Sequence, residues 1–140
     1  MGYTQYFPQN RSFTNPEWSK IQKTVKAIIA SQPLDMICGG NGKGDPVVDS
    51  KMISFNGSEV DDRCHETFQI THSHDPNFNF CKTAEKEYDP VVVAVLCAID
   101  NIAPGALTIS SDGRVNEWAA GLEIARQVIP ECKIPKGIKK

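Results

Sequence analysis

Hydrophobic positions recur at helical spacing in three stretches of the chain and alternate with polar ones in several others. The first helical stretch opens at Thr14-Asn15-Pro16-Glu17, where Thr followed three residues later by Glu makes a capping box and Pro suits a first turn. Trp18, Ile21, Val25, Ile28 and Ile29 then lie on one stripe, and Pro33 ends the helix. The second stretch has Asp89 as N-cap and Pro90 in the first position, with Val91, Val92, Val95, Leu96 and Ile99 on its buried side. It carries no charge until Asp100, which predicts the central helix of the core. Val115, Trp118, Ala119, Leu122, Ala125, Val128 and Ile129 form the third stripe, closed by Pro130.

The alternating segments read as strands. Tyr3, Tyr6 and Phe7 suggest a short opening strand or an aromatic arm, and Leu34–Cys38 a short strand. Met52–Phe55 runs into Asn56-Gly57, a strong turn signal. In Glu66–His72, Phe68 and Ile70 point one way and Thr67, Gln69 and Thr71 the other. Asp75-Pro76-Asn77 predicts a turn leading into a strand from Phe78 to Lys82, so these two segments read as the chain's best hairpin. Leu107–Ser110 is a further strand. The order predicts an α+β fold: two layers, a mainly antiparallel sheet with about three helices packed on one face. The expected core is Trp18, Val25, Phe55, Phe68, Phe80, Val95, Ile99, Leu107, Ile109, Trp118 and Leu122. Residues 1–130 read as one domain and 131–140 as a basic, flexible C-terminal tail.

Composition narrows the setting. The 140 residues match the usual size of one domain, and a formal net charge of −2 supplies no basic field for DNA or RNA. The longest apolar run, Val91–Ile99, is far below the roughly 20 residues of a membrane span, and Met1–Asn10 does not read as a signal peptide. The five cysteines are odd in number and show no Cys-x-x-Cys pair, which argues for reduced thiols and a cytoplasmic location.

Several places carry candidate chemistry. The loop from Gly39 to Gly44 holds Lys43, which with backbone amides could meet a phosphate, but it lacks the P-loop order and no helix signal follows; the plainer reading is a flexible connector. Glu66 is in phase with Phe68 and Ile70, and Lys82 with Phe78 and Phe80. If those faces look inward, both charges sit at the rim of the core, as a structural salt bridge or as a site. Ser110-Ser111-Asp112-Gly113 links a strand to a helix, where Asp112 is either an N-cap or an acceptor for ribose hydroxyls. His65, His72 and His74 lack a third well-spaced ligand, so no metal site or cofactor is expected. Cys81 has no histidine in company, and there is no Gly-x-Ser-x-Gly elbow.

Ile53-Ser54-Phe55-Asn56-Gly57, Glu66-Thr67-Phe68, Phe80-Cys81-Lys82-Thr83-Ala84 with Tyr88-Asp89, and Ser110-Ser111-Asp112-Gly113 with Trp118 together resemble a family of small uncharacterised bacteriophage proteins. The resemblance spans roughly residues 3–128 and implies a phage protein acting in the host cytoplasm against host defence. The expected activity is capture of a nucleotide-derived immune messenger, a cyclic nucleotide or an ADP-ribose-like molecule. Tyr88 or another aromatic would stack on the base, Lys82 and Lys43 would meet phosphate, Asn56 or Asp112 would meet the ribose hydroxyls, and Glu66 and Ser111 would complete the site. One rival is a hydrolase with Glu66 as general base and Lys82 stabilising the transition state; another is a protein–protein inhibitor. A homodimer or higher oligomer is expected, because exposed strand edges invite self-pairing.

Overall fold

The computed structural model describes residues 3–140. Ten regular elements follow one another: β1 (Thr4–Tyr6), α1 (Asn15–Ala30), β2 (Ile37–Cys38), β3 (Val47–Val48), β4 (Met52–Gly57), β5 (Phe68–Thr71), β6 (Phe80–Lys82), α2 (Asp89–Ile102), β7 (Ser110–Ser111) and α3 (Val115–Val128). The α+β class and the antiparallel pairing are as expected, with helices packed against the sheet layer. The strands divide between two small sheets. One has the order β6-β1-β7; in the other β4 pairs with β2, β3 and β5.

Local chemistry accounts for the helices. At the start of α1 the Thr14 hydroxyl accepts from the Glu17 N–H at 3.2 Å, and the Glu17 carboxylate accepts from the Thr14 N–H at 2.9 Å. This is the capping box seen in the sequence. Arg11 adds a two-pronged ion pair to Glu17, at 2.8 and 3.1 Å. Together these contacts hold the Glu17 carboxyl at about 2, well below the usual carboxylate range, with the Arg11 bond the largest cause. In α2 every residue from Val91 to Ile99 is buried, as befits a helix apolar on all sides. Gly121 lets α3 approach it closely, because a Cβ there would lie 2.3 Å from Val93 Cγ1.

Several expectations are corrected. The hairpin does not form: β5 pairs with β4, and β6 pairs with β1 in the register Thr4↔Lys82, Gln5↔Cys81, Tyr6↔Phe80. The Asp75 turn is present, with its carboxylate accepting from the Asn77 N–H, but β1 has taken the edge of β6 that faces away from β5. The phase of β6 is also reversed. Cys81 and Thr83 point inward, and Phe80, expected in the core, is 51% exposed. A one-residue change of phase moves every side chain of a strand to the other face. The interior beneath β1 is already filled by Phe7, Phe68 and Phe55, whose ring centroids lie 4.9 and 5.0 Å apart in sequence, so the smaller Cys81 and Thr83 fit there. Leu122 is only partly buried, while the other nine core positions named from the sequence are buried.

The last ten residues are not a free tail. Cys132 and Ile138 are buried, and the Lys139 carbonyl accepts from the Val115 N–H at 2.7 Å, so the tail caps the open N-terminus of α3. Arg114 Nη1 also donates to the Lys140 carbonyl at 2.9 Å. Apolar residues at 132, 134 and 138, spaced among the lysines, supply the anchoring.

Candidate functional site

In the first sheet, side chains of directly opposed residues share a face. The inner face carries Gln5, Cys81 and Thr83, packed over the start of α2. The outer face carries Thr4 and Tyr6 on β1, Phe80 and Lys82 on β6, and Ser110 on β7. Phe78, just before β6, joins this outer face: its ring centroid is 6.0 Å from Tyr6 and 6.4 Å from Phe80. Phe78 is 61% exposed, so two phenyl rings and a tyrosine form an aromatic patch open to solvent.

Charged groups flank this patch on both sides of β1. Lys82 lies opposite Thr4 across one edge. Across the other, Asp112 accepts from the Thr4 N–H at 3.0 Å and from the Tyr6 hydroxyl at 3.3 Å. Asp112 therefore ties β7 to β1 and orients Tyr6. It is not the N-cap of α3: that position is Arg114, whose N–H donates to the carboxylate of Glu117, three residues on, at 3.1 Å. Among the described residues no carboxylate lies within 4.0 Å of the Lys82 ammonium. Glu66 is the neighbour of Lys82, but through the backbone: its carboxylate accepts from the Lys82 N–H at 2.7 Å, and its own N–H donates to the Lys82 carbonyl at 3.1 Å. The expected core-rim pair is thus a surface contact, because β6 is turned over.

The other residues singled out in the sequence have structural work. Asn56 is fully buried, and its amide clamps the loop back to His65: Nδ2 donates to the His65 carbonyl at 3.0 Å, and Oδ1 accepts from the His65 N–H at 3.1 Å. Tyr88 is fully buried, with its hydroxyl donating to the Glu66 carbonyl at 2.5 Å. No ring face of Tyr88 is open to a base. Ser111 accepts from Trp118 Nε1 at 3.1 Å and from the Gly113 N–H at 2.9 Å. Lys43 sits in a loop whose Gly40–Gly42 turn packs against β4, 3.7 Å from the Glu59 carboxylate, and lines no groove with Lys82. The structure therefore gathers Asn56, Glu66, Lys82 and Tyr88 around residues 65–67, but only Glu66 and Lys82 reach the surface there. The sequence reading missed Phe78 and Phe80 as site residues because their alternation looks the same whichever face is inside.

A second polar centre lies beneath the sheet. Asp89 is buried, and its Oδ1 accepts from Gln5 Nε2 at 3.0 Å and from the Thr83 hydroxyl at 2.5 Å. Burial raises its carboxyl above the usual range despite those two donors, and the nearby Glu85 and Glu117 charges add to the shift. Asp89 was expected to cap α2; its side chain instead ties the helix start to β1 and to the segment after β6. Burial also pushes the Cys81 thiol up to about 12, which disfavours the thiolate a nucleophile needs. Among the described residues no group of three or more His, Cys, Asp and Glu side chains is arranged to hold a metal ion.

Comparison with protein-family models, with curated proteins and with solved structures finds no match to this chain. No helix among the described residues is long and apolar enough to cross a membrane.

Proposed function

We propose that the outer face of the β6-β1-β7 sheet binds a small nucleotide-like ligand and that the protein sequesters it. The observation that supports this reading is the pair of solvent-facing rings, Phe78 and Phe80, beside a lysine free of any carboxylate partner among the described residues. Exposed aromatic rings on a strand offer a π-face to any base, and a neighbouring ammonium favours phosphate. Asp112 and the Tyr6 hydroxyl stand on the far side of β1, where they suit the hydroxyls of a ribose. The platform thus replaces Tyr88 by Phe78 and Phe80, keeps Lys82 and Asp112, and leaves out Asn56, Ser111 and Lys43. In the setting that the phage resemblance implies, the ligand is a host immune messenger.

Capture is favoured over hydrolysis by the state of Glu66. Its carboxylate is exposed and already accepts a backbone N–H, whereas a general base poised near neutral pH is usually partly desolvated. The test is a thermal-shift screen with AMP, cyclic mono- and dinucleotides and ADP-ribose. Bound material is then released by heating and analysed by chromatography. Stabilisation by one class, with the ligand recovered intact, supports the proposal. Recovery of a converted product supports the hydrolase instead. If no nucleotide raises the melting temperature, the proposal fails, and pull-down from host lysate then tests the protein–protein inhibitor.

A further inference from the structure

The missing hairpin leaves an unusual feature beside the aromatic patch. Antiparallel ladders alternate between pairs that exchange both backbone hydrogen bonds and pairs that exchange none. On the β4–β5 ladder the His72 N–H donates to the Lys51 carbonyl at 3.0 Å, which places Ile53↔Ile70 and Phe55↔Phe68 in the bonded set. Gln69 therefore turns its N–H and C=O away from β4. On the β1–β6 ladder the Phe7 N–H donates to the Asn79 carbonyl at 2.9 Å, which places Gln5↔Cys81 in the bonded set. Phe80 therefore turns its N–H and C=O away from β1, toward β5.

Those two sets of groups face each other across a groove of about 170 Å³ lined by Gln69, Ile70, Phe78, Asn79 and Phe80, with Thr67, Thr71 and Asp75 at its edges. They do not bond to each other, and no described strand or side chain bonds to them. The two segments join by a main-chain hydrogen bond only just before β5, where the Glu66 N–H reaches the Lys82 carbonyl. That contact holds them one strand spacing apart at one end, which leaves no room for an inserted peptide strand. The flanking hydroxyls are engaged elsewhere: Thr67 with Asn56, and Thr71 with the Ser73 carbonyl.

We infer that this split ladder reads the hydrogen-bonding edge of a nucleobase, through the backbone N–H and C=O groups of Gln69 and Phe80. The inference rests on the nucleotide reading above and adds the part of the ligand that is recognised. A base leaning on the Phe78 and Phe80 rings presents its edge to the slot, where adjacent donors and acceptors match the donor–acceptor pair of an adenine. The groove is smaller than the roughly 300–1,000 Å³ of a pocket that encloses a whole ligand, so it takes one base and leaves sugar and phosphate outside, toward Lys82.

The test titrates ¹⁵N-labelled full-length protein with three probes: AMP; 1,N6-etheno-AMP, which keeps ring, ribose and phosphate but blocks the N1/N6 edge; and ribose 5-phosphate, which has no base. The expected result is AMP binding with the largest amide shifts at Gln69 and Phe80, and etheno-AMP about tenfold weaker through loss of one or two hydrogen bonds. Equal affinity for AMP and etheno-AMP, or AMP binding that leaves the Gln69 and Phe80 amides unmoved, overturns the inference while the stacking platform stands. Binding of ribose 5-phosphate as tightly as AMP, or of no probe at all, overturns both.

Discussion

Replacing Phe80 by alanine separates stability from binding and tests the reversed phase of β6 directly. Burying a whole phenylalanine side chain is worth about 1.5–3 kcal/mol. Phe80 is 51% exposed, so about half of that is in play, roughly 1 kcal/mol. At this chain length such a loss lowers the melting temperature by about 3–4 °C. Phe68 provides the internal standard, because it is fully buried and its ring packs between Phe7 and Phe55. Truncating a buried phenylalanine costs about 3–5 kcal/mol, so Phe68→Ala should fall by about 10 °C or more. Both are measured by thermal and urea unfolding with a common m-value. Ligand affinity, read by calorimetry or fluorescence, should fall about tenfold or more in Phe80→Ala, since stacking contributes about 1–3 kcal/mol per base. If Phe80→Ala is as destabilising as Phe68→Ala, Phe80 lies in the core and β6 is the other way up. If stability is spared and binding is also unchanged, the ring is exposed but is not the platform.

Gly121→Ala trades a gain in helix propensity of about 1 kcal/mol against overpacking of about 1–3 kcal/mol, because the new Cβ would lie 2.3 Å from Val93 Cγ1 and 2.8 Å from the Pro90 carbonyl oxygen. The expected outcome is a lower unfolding midpoint; a midpoint at or above that of the parent contradicts the close approach of α2 and α3. Asp89 has a raised carboxyl pKa in the folded state, so the stability it contributes is complete below its unfolded value near 3.8 and is lost as pH rises through the folded value. Asp89→Asn keeps an oxygen for Gln5 and Thr83, so its stability relative to the parent should climb from pH 4 to pH 7, and a flat difference in melting curves across that range refutes the burial argument. Glu17 has the opposite sign: held at about 2, it stabilises above about 4.5 and loses that contribution as pH falls through 2. Glu17→Gln should therefore remove part of the acid-side slope in a pH series of unfolding midpoints, and an unaltered slope would show the Arg11 pair to be inactive in solution.

Much of the fold was legible because local chemistry decided it. The Thr14–Glu17 capping box, the apolar run from Val91 to Ile99 and the Trp118 stripe each specify a helix with information held within a few residues. The phase of β5 was legible for the same reason, since only one of its faces is apolar. Strand β6 was not: Phe78-Asn79-Phe80-Cys81-Lys82-Thr83 offers apolar atoms to both faces, so alternation alone cannot choose between them. The choice came from partners distant in sequence. Asp89, bonded also to Gln5, holds Thr83 inward, Cys81 lies against the Glu66 carbonyl and the Tyr88 hydroxyl, and the buried rings of Phe7, Phe55 and Phe68 fill the interior. The same distant contacts settled the polar residues. Glu66, Lys82 and Asp112 were recognisable as charges at strand ends, but whether Asn56, Tyr88 and Ser111 face a ligand or a buried backbone depends on which loop folds over them. The sequence by itself determined the three helices, most of the strand segments and which side chains can carry chemistry; it did not show β3 at Val47–Val48, nor that β4 runs on through Asn56-Gly57, nor that the last strand lies at Ser110–Ser111. Only the tertiary structure decided which of those side chains are consumed in holding the fold and which remain free at the surface, because burial and hydrogen-bond satisfaction belong to the whole chain and not to any window of it.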